Sequence, residues 1–156
     1  MRRITVVAAL GSVIVLAIAA VAAARTPDLA EATRMHVVER ATTDTVVDTD
    51  GDGQDSTGDL LTFHNKVFNA SNTRQVGRDQ GQCVRIDPRR GTWECNYTVI
   101  FDGGNVTVEG PFYDSRDTST FSVTGGTGRF RNVRGELVLH PRGSGAAFDF
   151  LLRLIP

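Results

Sequence analysis

The chain has 156 residues, with 17 lysines and arginines against 18 acidic residues and a formal net charge of −1 at neutral pH. This balance, without a stripe of basic residues along the sequence, argues against a nucleic-acid partner. About 130 residues remain after the apolar N-terminus, which suits one domain with its own hydrophobic core.

The N-terminus has the pattern of a secretory signal peptide. A short basic start precedes an apolar run, residues 4–24, which ends in three alanines that suit signal peptidase. We therefore predict a signal peptide over residues 1–24 and a secreted, extracytoplasmic protein. The run is also long enough to span a bilayer, so membrane anchoring by an uncleaved signal is the alternative.

An acidic stretch follows the first predicted strand, within an N-terminal segment that we assign to residues 25–57. Oxygen-bearing side chains in and just after it have the spacing of a calcium loop: Asp48, Asp50, Asp52, Gln54 and Asp59. No helix pattern flanks the stretch, and its last position is Asp instead of the longer Glu. We predict a solvated loop without a metal, and calcium binding is the alternative.

Alternation of apolar and polar residues dominates the mature chain and is typical of half-buried β-strands. Between Asp59 and Phe68, one face carries Leu61, Phe63, Asn65 and Val67. Turn-forming residues separate eight predicted strands, which start near Met35, Asp59, Arg74, Thr92, Asn105, Thr118, Arg134 and Ala146. Eight such strands predict an all-β barrel or sandwich, and a barrel of this size has room for one small ligand.

The two cysteines, Cys83 and Cys95, lie on the two arms of a predicted hairpin. If Asp87 faces Gly91 across its turn, the cysteines fall opposite each other, within disulfide reach. Outside the cytoplasm such a pair is most simply a disulfide. Two free thiols in a pocket are the alternative.

From residue 58 onward the chain resembles two related families. Allene oxide cyclase is matched, in the family's order, by the stretches 58–68, 76–77, 81–84, 108–111 and 123–126. Dirigent proteins are matched by 76–81 (VGRDQG) and 126–135 (GTGRFRNVRG). The resemblance implies that residues 58–156 complete a single eight-stranded antiparallel closed barrel of the calycin type, homotrimeric, with an apolar cavity and no cofactor.

The resemblance also implies a function. Allene oxide cyclase closes an unsaturated fatty-acid epoxide into a cyclopentenone, mostly by orienting a flexible chain. Dirigent proteins steer the coupling of reactive phenolic species. We therefore expect a cavity for a small hydrophobic or phenolic molecule and a cofactor-free cyclase or isomerase. A non-catalytic, dirigent-like steering protein is the alternative.

The site residues come partly from the resemblance and partly from the alternation. Asn65 corresponds to the family's polar Asn, Cys83 to its pocket cysteine, and His36 stands where the family has a charge-stabilising Glu. We predict Asn65 and His36 as catalytic candidates, since histidine titrates near neutral pH. The predicted ligand-binding residues are Phe63, Asn65, Cys83, Trp93, Tyr97, Val99, Phe148 and Phe150.

Overall fold

The fold comes from a computed structural model, which describes residues 32–115, 117–143 and 146–156. The predicted signal peptide lies outside the described residues. Among those residues, no helix is long and apolar enough to cross a bilayer. Ten strand segments follow in order: β1 (Thr33–Arg40), β2 (Thr45–Val47), β3 (Leu60–Phe63), β4 (Lys66–Asn69), β5 (Gln75–Asp87), β6 (Thr92–Phe101), β7 (Gly104–Tyr113), β8 (Ser119–Gly126), β9 (Arg134–Arg142) and β10 (Ala147–Ile155).

All pairings are antiparallel, and they close on themselves. β1 pairs with β10, the sheet continues through β9, β8, β7 and β6, and β6 pairs with β5. β5 then pairs with β3 and β4, and β4 returns to β1. The predicted all-β, eight-stranded antiparallel closed barrel is therefore confirmed.

The ten segments form eight barrel strands because two strands are interrupted at the same level. The single strand predicted from Asp59 to Phe68 breaks into β3 and β4 at His64 and Asn65. Opposite this break, the chain leaves β1 at Arg40 and returns as β2, which pairs with β3. We call this interruption the seam. There, side chains replace the backbone ladder: the Thr43 hydroxyl accepts from the backbone nitrogen of His64.

The barrel is filled at one end and hollow at the other. We call the end where β1, β5, β7 and β9 begin the closed end. Near it the inward side chains pack into a continuous core, which includes Val67, Val99, Phe101, Val106, Val108, Phe130, Leu152 and Leu154. The other end, which we call the open end, holds a cavity between larger aromatic side chains. The inward alternation predicted for Phe63, Tyr97 and Phe150 places their rings there.

The hairpin between β5 and β6 differs in one detail from the predicted one. Asp87 pairs with Thr92 and not with Gly91, because the register shifts between Arg85 and Asp87 and a 3₁₀ helix, Pro88–Arg90, forms the turn. Asp87 caps this helix by accepting hydrogen bonds from the Arg89 and Arg90 backbone nitrogens.

The shift leaves the cysteine register unchanged. Cys83 stands opposite Cys95 with α-carbons 3.9 Å apart, and a disulfide joins them. The disulfide prediction is therefore confirmed. Such a bond is typical of a protein that folds in an oxidising compartment.

Candidate functional site

The cavity at the open end is apolar and small. Its volume is about 40 Å³, and its walls are Leu61, Phe63, Cys83, Cys95, Tyr97, Phe112, Phe121, Leu139, Phe148 and Phe150, with Glu39 and Asp44 as the acidic members. Phe63, Phe112 and Phe148 are only half-buried. Phe112 and Phe148 stand at the mouth, one residue from the ends of their strands, and Phe63 lies at the seam. A molecule larger than a few water molecules therefore has to displace these rings or remain partly outside.

Tyr97 occupies the middle of the cavity. Its ring packs edge-on against Phe63 and Phe121, with centroids 5.5 and 5.2 Å away, and lies 6.1 Å from Phe150. The side chain is buried, yet its hydroxyl has no hydrogen-bond partner within the described chain. Burial, and then the nearby Glu39 and Asp79 carboxyls, raise the pKa of Tyr97 well above its usual value. The hydroxyl thus stays protonated and free to donate a hydrogen bond.

Asn65 is buried on the inward face, as the alternation predicted, and it organises the seam. Its side-chain oxygen accepts from the Thr42 nitrogen at 2.9 Å, the Thr43 nitrogen at 3.0 Å and the Thr43 hydroxyl at 2.9 Å. Its side-chain nitrogen donates to Glu39 at 2.8 Å and to Asp44 at 2.7 Å. Both polar atoms of the amide are therefore occupied by the chain itself, and Asn65 does not line the cavity.

A buried pair of carboxyl groups lies behind the cavity wall. Glu39 reaches the cavity from β1, and Asp79 stands beside it on β5, where its Oδ1 accepts from the Asn65 backbone nitrogen at 3.1 Å. Burial raises the pKa of Asp79 to about 7. Burial, followed by the Asp79 charge, raises the pKa of Glu39 well above its usual value, although the Asn65 hydrogen bond opposes this.

The pair holds a proton near neutral pH. Asp79 Oδ2 is buried and has no hydrogen-bond partner within the described chain. A proton on Glu39 would supply one, because the two carboxyls are neighbours and each shifts the pKa of the other. Two like charges this close in an apolar site do not both ionise. The arrangement can therefore deliver one proton to the cavity and take it back.

Glu39, Asp44 and Asp79 were not among the site residues predicted from the sequence. The signal for Glu39 was present, because it is in phase with inward-facing Val37 on β1. Asp79 is likewise in phase with Cys83 on β5. Their proximity, however, depends on closure of the barrel, which brings β1 and β5 to the two sides of β4.

The remaining predicted site residues separate into two groups. Phe63, Cys83, Tyr97, Phe148 and Phe150 line the cavity together. The other predicted residues lie outside the cavity lining. Asn65 is in the seam, Val99 and Trp93 are in the buried core, and His36 is on the outer face.

Trp93 and His36 each have other partners. The Arg85 guanidinium covers the Trp93 ring at 3.9 Å and bonds Asp55 and Asp114 at 2.7 Å each. His36 is exposed and lies 2.7 Å from Asp149 on the outside of the barrel. The wall of the cavity therefore separates His36 from the carboxyl pair.

The acidic stretch forms a turn-rich loop beside the open end. The carboxylates of Asp48, Asp50 and Asp52 lie within 4.8 Å of one another and are exposed. Asp48 accepts from the Gly51 and Gly53 backbone nitrogens, so the loop uses its own acids as turn acceptors. Asp59, the last residue of the alternative calcium site, is not part of this group of three carboxylates. It is buried and accepts hydrogen bonds from the Thr49 and Ser56 backbone nitrogens.

Fold and site together define a class: antiparallel eight-stranded barrels with an apolar cavity at one end. The family model described as allene oxide cyclase matches residues 30–142, and the chain belongs to that family. The resemblance to allene oxide cyclase stated from the sequence is therefore confirmed.

Solved structures of similar fold carry several descriptions. A pyocyanin demethylase is 23% identical, with 78% of this chain and 99% of that chain covered and a TM-score of 0.68. A pterocarpan synthase dirigent protein is 17% identical, with 80% and 95% covered and a TM-score of 0.68. A Diels-Alderase from Streptomyces koyangensis is 15% identical, with 79% and 63% covered and a TM-score of 0.65. At these identities the likeness concerns the fold.

Proposed function

We propose that this protein binds a small apolar or aromatic molecule with an oxygen substituent, and rearranges it without a cofactor as an isomerase or cyclase. The observation that carries the proposal is the unpartnered Tyr97 hydroxyl, which shares one apolar cavity with the proton-holding Glu39 carboxyl. A buried hydrogen-bond donor without a partner destabilises the fold, and a ligand oxygen would supply the missing acceptor.

The residues suit different parts of this chemistry. Tyr97 would donate to the ligand oxygen and stabilise negative charge that develops there. Glu39 would act as general acid and then as base, with Asp79 as its buried partner. Asn65 would be a positioning residue, because it holds the Glu39 carboxyl and does not line the cavity. The aromatic walls would orient the molecule, which is the main contribution of a barrel of this family.

The size of the cavity bears on the substrate class. At about 40 Å³ the interior does not enclose a long fatty-acid chain. We infer that the reacting part of the molecule is compact and that any tail lies across the half-buried rings of Phe112 and Phe148. Export from the cytoplasm and assembly as a homotrimer belong to the same proposal, the former supported by the disulfide.

Ligand binding is tested with 2-cyclohexenone and its hydrocarbon counterpart cyclohexene, followed by ligand-observed NMR. We expect the wild type to prefer the ketone. Tyr97→Phe should weaken ketone binding by about tenfold and leave cyclohexene binding unchanged, since one net hydrogen bond is lost. Binding of neither compound would mean that the barrel is filled by its own side chains, and the proposal would fall.

Catalysis is tested by deuterium uptake into 2-cyclohexenone from D₂O, which requires a group that delivers and removes protons. We expect Glu39→Gln to lower the rate by at least about 100-fold. The same change at exposed Glu94 serves as the matched control. Binding without any uptake would instead favour a dirigent-like steering protein. Native mass spectrometry of the secreted protein would report both a co-purified ligand and the predicted trimer.

A further inference from the structure

Charge is segregated along the axis of the barrel. Arginines from separate parts of the chain meet at the closed end, where Arg34 on β1 stands opposite Arg153 on β10. All are exposed, and they are Arg34, Arg74, Arg129, Arg131, Arg134 and Arg153. The acidic residues described at this end are Asp102 and Glu136, the latter opposite Arg153. Arg129, Arg131 and Arg134 are close in the sequence, and closure of the barrel brings Arg34, Arg74 and Arg153 to the same end.

The open end has the opposite balance. It carries the acidic loop together with Asp44, Asp87, Asp114 and Asp117. Two of its arginines are neutralised locally, since Arg85 is bonded to Asp55 and Asp114, and Arg142 lies 2.9 Å from Asp149. Arg89 and Arg90 in the β5–β6 turn are exposed, but acidic residues outnumber the arginines at this end. A negatively charged surface would therefore attract the barrel by its closed end more strongly than by its open end.

The closed end also has an apolar groove between its arginines. The groove has a volume of about 430 Å³ and is lined by Thr33, Met35, Arg129, Phe130, Arg131, Val133, Leu154 and Pro156. The Arg129 guanidinium lies over the Phe130 ring at 4.7 Å, and Ile155 beside the groove is 43% exposed. An apolar floor under a cationic rim matches the boundary between phosphate headgroups and acyl chains.

We propose that the closed end docks on a membrane surface that contains anionic phospholipids. The arginines would contact lipid phosphates, and Ile155 and the groove would take the apolar part of the interface. The path of the chain supports this occupant: β1 begins at Thr33 at this end, and only eight residues separate it from the end of the apolar run 4–24. Whether that run is cleaved or retained, the cavity would face away from the bilayer. The apolar floor favours a membrane over a nucleic acid, which has no counterpart for it.

The test is co-sedimentation with phosphatidylcholine vesicles, prepared with and without phosphatidylglycerol. Because the closed sheet and its core lie within residues 32–156, a chain of residues 25–156 suffices and lacks the apolar run. We expect binding to the anionic vesicles alone, and weakening by salt as charge is screened. The double variant Arg129→Glu with Arg131→Glu should reduce partitioning by at least about tenfold.

The control is the double variant Arg89→Glu with Arg90→Glu, which reverses two charges at the open end. We expect it to bind the anionic vesicles as the wild type does. Equal losses in both variants, equal binding to both vesicle types, or no binding by the wild type would each overturn the proposal. So would binding of double-stranded DNA without binding of vesicles. If the closed-end variant fails to fold, Arg131→Glu alone leaves the stack of Arg129 on Phe130 in place and gives the same test.

Discussion

The side-chain nitrogen of Asn65 donates to a carboxyl oxygen of Glu39 over 2.8 Å and thereby ties the seam to the cavity wall. Asn65→Leu keeps the volume but leaves Glu39 and the Thr42 and Thr43 nitrogens without this partner. We expect the free energy of unfolding to fall by about 2–4 kcal/mol, since each buried unsatisfied group costs about 1–3 kcal/mol. Urea unfolding measures this, with His64→Leu on the exposed face as control. Equal, small losses in both variants would show that the amide network contributes little.

The carboxyl pair makes a prediction about pH. Asp79 holds its proton to about pH 7 in the folded protein, whereas its usual pKa is 3.8. The folded state therefore binds more protons between these values, and stability from this group falls as pH rises from about 4 to 8. The loss is up to about 4 kcal/mol on the usual conversion of pKa into free energy. Asp79→Asn should remove this part of the slope and leave the part of the same sign that comes from the raised pKa of Glu39. A wild-type profile parallel to that of the variant would refute the assignment.

Removal of the Tyr97 hydroxyl should not destabilise the protein, in contrast to the loss expected for Asn65→Leu. Tyr97→Phe removes a buried group that has no partner and keeps the ring against Phe63 and Phe121. We expect the ligand-free protein to be unchanged or more stable by about 1 kcal/mol, because no hydrogen bond is lost. Thermal and urea unfolding without ligand measure this. A loss of several kcal/mol would mean that the hydroxyl already has a partner in the folded protein.

The disulfide closes a loop of modest length, because the cysteines are 12 positions apart. Replacing both cysteines with alanine should lower the free energy of unfolding by about 3 kcal/mol, chiefly by freeing the unfolded chain. Thiol titration of the unfolded, unreduced wild type should detect no reactive thiol. Two thiols per chain would contradict the pairing.

The acidic loop yields a prediction about metal. Asp48, Asp50 and Asp52 are exposed, and Asp59 bonds to the backbone of its own loop. We therefore expect millimolar calcium to leave the melting temperature unchanged, since only a ligand bound to the native state raises it. A saturable rise that disappears in Asp48→Ala would establish a calcium site.

How far the sequence predicted the molecule depended on the range of the interactions. Alternation is local, so the inward faces of β6 and β10 and the pairing of Cys83 with Cys95 followed from it. The seam did not, because the break at Asn65 depends on Thr42 and Thr43, which reach it only after β1 has paired with β4. The carboxyl pair was missed for the same reason. Glu39 and Asp79 lie 40 positions apart in the chain, and no local pattern around either residue indicates that the two are close in the fold.

The division of the barrel into a filled end and a hollow end has an evolutionary consequence. Val99 is enclosed on all sides, so a larger side chain there would strain the packed core. Phe112 and Phe148 are half-buried and line the cavity, so a change there disturbs fewer packed neighbours. Substitutions at the mouth can therefore reshape what the barrel accepts at small cost to folding. Descendants of one such chain can change the shape of the mouth while the packed core near the closed end stays intact.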